Sequence, residues 1–193
     1  MALESMQEIF DRAQSGGKEF WQVVLDTDLD EREVTAAESM ERMRTTWQAM
    51  LDSVDHYQPQ RRSVSGLVGG DGDRMRQYAK ENESLSGPYL QEVIATALSV
   101  GESNACMCKI VAAPTAGACG VLPAVLVPLY KQGAADEETI LRALYVASGI
   151  GAVIAYRACI AGAAGGCQAE IGSASAMAAG ALTAIRGGSN AQI

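Results

Sequence analysis

Cys167 stands in the run Gly165-Gly-Cys-Gln-Ala-Glu170, a thiol with two glycines before it and two polar side chains just after it. An Ala-rich segment follows as far as Arg186. A thiol at the start of such a helix has its thiolate favoured by the helix dipole. Glycines beside it let a bulky group rest against the backbone. Cys167 is therefore the leading candidate for a metal ligand or a nucleophile. The other cysteines, Cys106, Cys108, Cys119 and Cys159, have weaker settings. One residue separates Cys106 from Cys108, fewer than a zinc knuckle needs, and no second pair or histidine accompanies them. The spacing is not that of a ferredoxin run either. Spacing alone gives no complete metal site, and a lone buried Cys is ordinarily a small hydrophobe. His56 is the single histidine. No periodic pattern sets it near other chemistry, so it is not assigned as a general base.

A second segment with chemical potential runs from Arg61 to Asp73 and contains Ser65-Gly-Leu-Val-Gly-Gly-Asp71. Backbone N–H groups freed by glycine can hold an anion such as a carboxylate. An ordinary interhelical linker has the same composition, and both readings stand. The segment is not a P-loop, because no Gly-Lys-Ser/Thr follows.

The elements that must position these groups are helical. Short helices are expected over 3–13 and 18–25, separated by Gly16-Gly17. Asp30-Glu31-Arg32-Glu33 resembles a capping box opening a longer helix. In it Val34, Ala37, Met40, Met43, Trp47, Met50, Leu51 and Val54 recur at spacings of three and four, which makes one face apolar. The methionine stripe is expected in the core. Ser86-Gly87-Pro88 signals another helix start, with Leu90, Val93, Ile94, Ala97 and Leu98 expected as its core face. Residues 110–130 carry no charge, so a membrane span has to be considered. Pro114, Pro123 and Pro128 argue for buried helices and loops instead, and the run 143–156 is too short to span. No segment alternates cleanly as a strand. The expected fold class is all-α, with charged N-terminal helices over 1–60 and an Ala/Gly-rich helical region over 61–193.

Charge supports that division. The net −8 lies wholly in residues 1–92, which hold 18 acids and 10 bases, while 93–193 hold five of each. A nucleic-acid partner needs a cationic surface and is not expected; a membrane is not expected either. Residues 147–188 contain 14 Ala and 9 Gly, which suits close helix packing. The first ten residues hold acids and no long apolar run, so no signal peptide is read there. With five cysteines, that points to a reducing, cytoplasmic setting.

Four blocks resemble one family. They are Ile110-Val-Ala-Ala-Pro-Thr-Ala-Gly-Ala-Cys-Gly-Val-Leu-Pro-Ala124, Gly165-Gly-Cys-Gln-Ala-Glu-Ile-Gly-Ser-Ala-Ser-Ala-Met177, Ser65-Gly-Leu-Val-Gly-Gly-Asp71 and Asn104-Ala105. In order and spacing they are similar to the alpha chain of iron–sulfur-dependent L-serine dehydratase, across essentially the whole chain. The resemblance implies a mostly α-helical catalytic region that deaminates L-serine to pyruvate and ammonia without pyridoxal phosphate. It implies a [4Fe-4S] cluster with one iron open to substrate, held by three cysteines of which Cys167 is the first. The other two belong to a later Cys-Asp-Pro…Val-Pro-Cys segment that this sequence does not contain, so these residues alone are expected to be inactive. A separately encoded beta chain is the implied partner, and a homo-oligomer is an open option. Asn104, Lys109, Thr115, Gln168 and Ser65 are expected to orient the serine carboxylate and ammonium. Cys106 and Cys108 stand where the family commonly shows Ser or Ala and Gly. Arg157 and Cys159 replace the usual Asn and Ser, and Ala164 replaces a common Glu. A non-catalytic helical interaction subunit and a membrane-embedded carrier subunit are the alternative readings.

Overall fold

A computed structural model describes residues 3–82 and 85–193. These form eight α-helices and one 3-10 turn, with no strand among the described residues. The fold is all-α, 70% helical. In chain order the helices are α1 (Met6–Gly16), α2 (Phe20–Arg32), α3 (Ala36–Asp55), α4 (Asp71–Glu81), α5 (Gly87–Ala105), α6 (Val121–Lys131), α7 (Glu137–Arg157) and α8 (Gly162–Ile185). The 3-10 turn, Ala116–Ala118, precedes α6.

Side-chain caps set the front boundaries. Ser5 Oγ accepts the Glu8 N–H at 3.1 Å and starts α1, and Gly17 at φ 60° ends it. The capping box expected at Asp30 lies five residues later. Asp30 to Arg32 complete the last turn of α2, and Glu33 ends it in a left-handed conformation, φ 52°. Thr35 and Glu38 then form the reciprocal pair that starts α3: the Thr35 N–H donates to Glu38 Oε2 (2.8 Å) and the Glu38 N–H to Thr35 Oγ1 (3.3 Å). The apolar stripe of α3 is buried at Trp47, Met50, Leu51 and Val54, and half-buried at Met40 and Met43.

The chain divides into two compact units. The first comprises Met1–Trp47 and Ala135–Ile193, the second Gln48–Ala134. In the first, α7 packs on α2 and α8, and α1 packs on α2. Small residues allow the approach. A Cβ at Gly149 would stand 2.5 Å from Val24 Cγ2, and one at Gly180 would overlap Ile150 Cδ1. Most of the apolar surface of α7 is covered in this way, from Ile140 to Val153. Among the described residues α7 is the one helix long and apolar enough to cross a membrane, and 61% of its most apolar window is buried inside the chain.

In the second unit α5 packs on α4 and α6. Of the face of α5 expected in the core, Val93 and Ala97 are half-buried, but its three largest members are not covered. Leu90, Ile94 and Leu98 are exposed, whereas Gln91, Ala95, Thr96, Ser99, Val100, Glu102 and Ser103 are buried. Close packing by small and hydrogen-bonding residues decides the matter. A Cβ at Gly72 would overlap Ser99 Oγ and stand 3.0 Å from Ser99 N, and one at Gly120 would stand 2.8 Å from the Ala97 carbonyl oxygen. Arg76 adds donors to Ser99 Oγ (2.9 Å) and Glu92 Oε1 (3.3 Å). The uncharged run 110–130 is not one helix: extended backbone and the 3-10 turn lead into α6, which begins only at Val121.

Candidate functional site

Cys167 owes its position to its glycines. Gly166 has φ 81° and ψ 167°, which interrupts α8 and makes Cys167 the first residue of the long helical stretch that follows. An L-residue adopts that conformation only with strain, so glycine is required here. The Cys167 thiol is exposed, as is Gln168 beside it. Two further groups flank the turn. A Cβ at Gly165 would lie 3.5 Å from Cys159 Cβ, so the exposed Cys159 borders it, and one at Gly162 would lie 2.7 Å from Glu170 Oε2. Among the described residues no three His, Cys, Asp or Glu side chains gather into a metal-binding group.

The remaining candidates, Ser65, Asn104, Lys109 and Thr115, belong to the second unit. Its organising group is one that sequence reasoning missed. Glu102 is 5% exposed and accepts from the Tyr57 hydroxyl (2.5 Å), the Asp71 N–H (2.6 Å) and the Gly72 N–H (3.4 Å). The anion held by the glycine-rich segment is thus supplied from within the unit, at the N-terminus of α4. No local motif marks it, since α5 carries a second acid, Glu92, and several other polar residues. Burial, reinforced by the bond to Glu102, pushes the Tyr57 phenol up to about 12.

Gly69 and Gly70, both at positive φ, let Arg62 fold back onto the loop, where its guanidinium donates to the carbonyls of Pro59 (2.8 Å) and Arg61 (3.0 Å). Ser65 lies on the exposed part of that loop, with its hydroxyl 3.1 Å from Ser63 Oγ. Asn104 donates to the Ala116 carbonyl (3.0 Å) and so ties the end of α5 to the turn that Thr115 opens. Lys109 is exposed beyond that helix end. It lines a cavity of about 260 Å³ with Asp52, Ser53, His56, Ser103 and Cys108.

His56 therefore does have reactive neighbours, contrary to the sequence expectation, because the end of α3 meets the chain leaving α5. Its Nδ1 lies 2.9 Å from the Asp52 carbonyl oxygen, which can only accept. In the neutral ring Nδ1 then carries the proton, and Nε2 is the free acceptor. The second unit thus offers an ammonium for a carboxylate, an imidazole acceptor and a thiol, Cys108, around one small cavity. Cys119 and Cys106 are buried, and none of the five cysteines forms a disulfide with another described residue.

The family profile described as "Serine dehydratase alpha chain" matches residues 15–193. The chain is 37% identical over 187 residues to the "L-serine dehydratase, alpha chain" of Peptoniphilus asaccharolyticus, covering 96% of this chain and 64% of that one. It is 43% identical over 130 residues to the "Probable L-serine dehydratase, alpha chain" of Bacillus subtilis, covering 67% and 43%. Against "L-serine dehydratase TdcG" of Escherichia coli the identity is 48% over 98 residues, covering 50% and 22%. The chain thus spans less than two thirds of the length of these relatives. Consistent with the all-α fold, the match over residues 15–193 shows that the chain belongs to the serine dehydratase alpha chain family.

Proposed function

We propose that this chain is part of an L-serine dehydratase that forms pyruvate and ammonia, and that Cys167 supplies one thiolate ligand to its [4Fe-4S] cluster. The observation that carries the reading is the placing of Cys167: an exposed thiol, first after a glycine break, in a chain of this family. The residues fit such a cluster in part. Cys167 has the accessibility and the helix N-terminus that a thiolate ligand needs. The described residues gather no complete set of ligands around it. When bound, an open iron acts as a Lewis acid on a hydroxyl group.

The side chains contribute binding and orientation. Serine must lose an α-proton and its hydroxyl as water, and the resulting enamine tautomerises and hydrolyses to pyruvate and ammonia. Lys109 is an exposed cation available to hold the serine carboxylate, in the cavity it lines with His56. Asn104 positions the Thr115 turn through its bond to Ala116 rather than presenting a free amide. Gln168 and Ser65 are exposed and available to polar substrate groups. A beta chain is the expected partner and the cytoplasm the expected location, where a reducing environment keeps thiols free.

The test is anaerobic reconstitution of the intact protein and its partner chain with iron and sulfide, then L-serine, with pyruvate as the readout. Serine-dependent pyruvate formation is expected. Lys109→Met should raise KM about tenfold, the loss of one charge-assisted contact worth about 1.4 kcal/mol, without changing the iron content. No pyruvate from a fully loaded cluster contradicts the reading.

A further inference from the structure

The first unit contains a cavity of about 580 Å³ between α2, the first half of α3 and α7. That volume lies in the range of small-molecule sites. Its walls are largely apolar, formed by Val24, Met43, Ala152, Ala155 and Tyr156. Its polar floor is already satisfied. Ser39 and Tyr145, each 2% exposed, are 2.6 Å apart, and the Ser39 hydroxyl donates to Asp28 Oδ2 at 2.5 Å. Arg32 Nη1 holds both oxygens of the same Asp28 carboxylate, at 2.9 and 3.2 Å. Burial holds the Tyr145 phenol above its ordinary value, so it stays a neutral donor.

The lining charges balance, with Asp28 and Glu31 against Arg32 and Arg42. Their commitments do not. Asp28 already accepts from Ser39 and Arg32, and Glu31 has a partner of its own. Arg42 has no side-chain hydrogen bond or ion pair among the described residues, and Arg32 retains Nε and Nη2. What the cavity lacks is an anion. The net charge of the lining excludes a strongly charged ligand such as a phosphate dianion, and the apolar walls call for a hydrocarbon body. A carboxylate matches a guanidinium in geometry and forms charge-assisted bonds with it.

We propose that this cavity binds a small organic monocarboxylate with an apolar body, its carboxylate on Arg42 and the free edge of Arg32 and its body against Met43, Ala152 and Tyr156. Binding rests on these groups alone and is independent of the serine dehydratase reading. The test is calorimetric titration of the intact protein with 3-phenylpropionate, with 3-phenylpropionamide and 3-phenylpropylamine as uncharged and cationic probes. The acid should bind saturably, and at least tenfold more tightly than either control. Arg42→Gln, a change at an exposed residue, should weaken the acid about tenfold. Ala152→Trp, which fills the cavity from an exposed position on α7, should abolish binding of all three. Unchanged melting temperatures establish that both variants are folded. Absence of saturable binding by the wild type overturns the proposal, whether the cavity is covered by another segment or has no affinity. Equal affinity for acid and amide, or binding that survives both substitutions, overturns it as well.

Discussion

A carboxylate that is 5% exposed is tolerated at Glu102 because three donors surround it, two of them backbone amides at the start of α4. An unpaired buried charge would be far more costly. Replacing Glu102 with Ala leaves those amides and the Tyr57 hydroxyl without an acceptor. The expected loss is roughly 2–4 kcal/mol, read from urea unfolding, and Glu102→Gln should lose less because it keeps one acceptor oxygen. A change in Glu102→Ala below about 0.5 kcal/mol, the usual size of a surface effect, contradicts the network. Tyr57 gives an independent check. Its folded value, about 12, lies above the ordinary value of 10.0. Its contribution to stability is therefore intact below pH 10 and lost as the pH rises toward 12. In an absorbance titration Tyr57 should ionise near pH 12, within a late-titrating group that also holds the raised Tyr89 and Tyr145, and Tyr57→Phe should reduce the amplitude of the late step by one phenol. A Tyr57→Phe protein with an unchanged late step shows that the bond to Glu102 is not formed.

At the level of elements, the glycines do two different jobs, and substitution separates them. Gly72 is pressed between α4 and α5, where a Cβ would strike Ser99, including its backbone nitrogen at 3.0 Å. Gly72→Ala should destabilise by roughly 1–3 kcal/mol through overpacking. Gly172 has nothing within 4 Å of an added Cβ and lies within α8. Gly172→Ala should stabilise by about 0.5–1 kcal/mol, the ordinary helical cost of glycine. Thermal or urea melts of the two variants should move in opposite directions, and a shared direction contradicts the packing described for α4 on α5. The same contact explains what could and could not be read from sequence. Helix starts were legible where local residues mark them, as at Ser86-Gly87-Pro88, where α5 opens with Pro88 in its first turn. The box at Thr35 was displaced to Asp30 because both strings carry an acid three residues on. The face of α5 was misread because hydropathy ranks Leu90, Ile94 and Leu98 above Ser99 and Glu102. Their burial is decided by Gly72, Arg76 and Tyr57, which are distant in sequence and meet them only in the folded unit.

For the molecule as a whole, the candidate residues divide between two compact units, with Cys167 and Gln168 in one and Ser65, Asn104, Lys109 and Thr115 in the other. The setting of Cys167 was legible because it is local: Gly166 breaks the helix just before it, and the residue is exposed. The grouping of His56 with Lys109 was not, since tertiary packing alone joins the end of α3 to the chain after α5. The proposed activity makes unequal demands on the cysteines. Cys119 is buried and close to the Val100 carbonyl, a small hydrophobe in the core, and Cys108 lines the His56 cavity. The most direct measurement compares Cys167→Ser with Cys108→Ser in the intact protein, reconstituted anaerobically with its partner chain. Iron and acid-labile sulfide are counted, and pyruvate formation from L-serine is followed. The Cys167→Ser protein should lose the cluster and the activity, and the Cys108→Ser protein should keep its iron. A full cluster and unimpaired pyruvate formation in Cys167→Ser would contradict the assignment of Cys167 as a ligand.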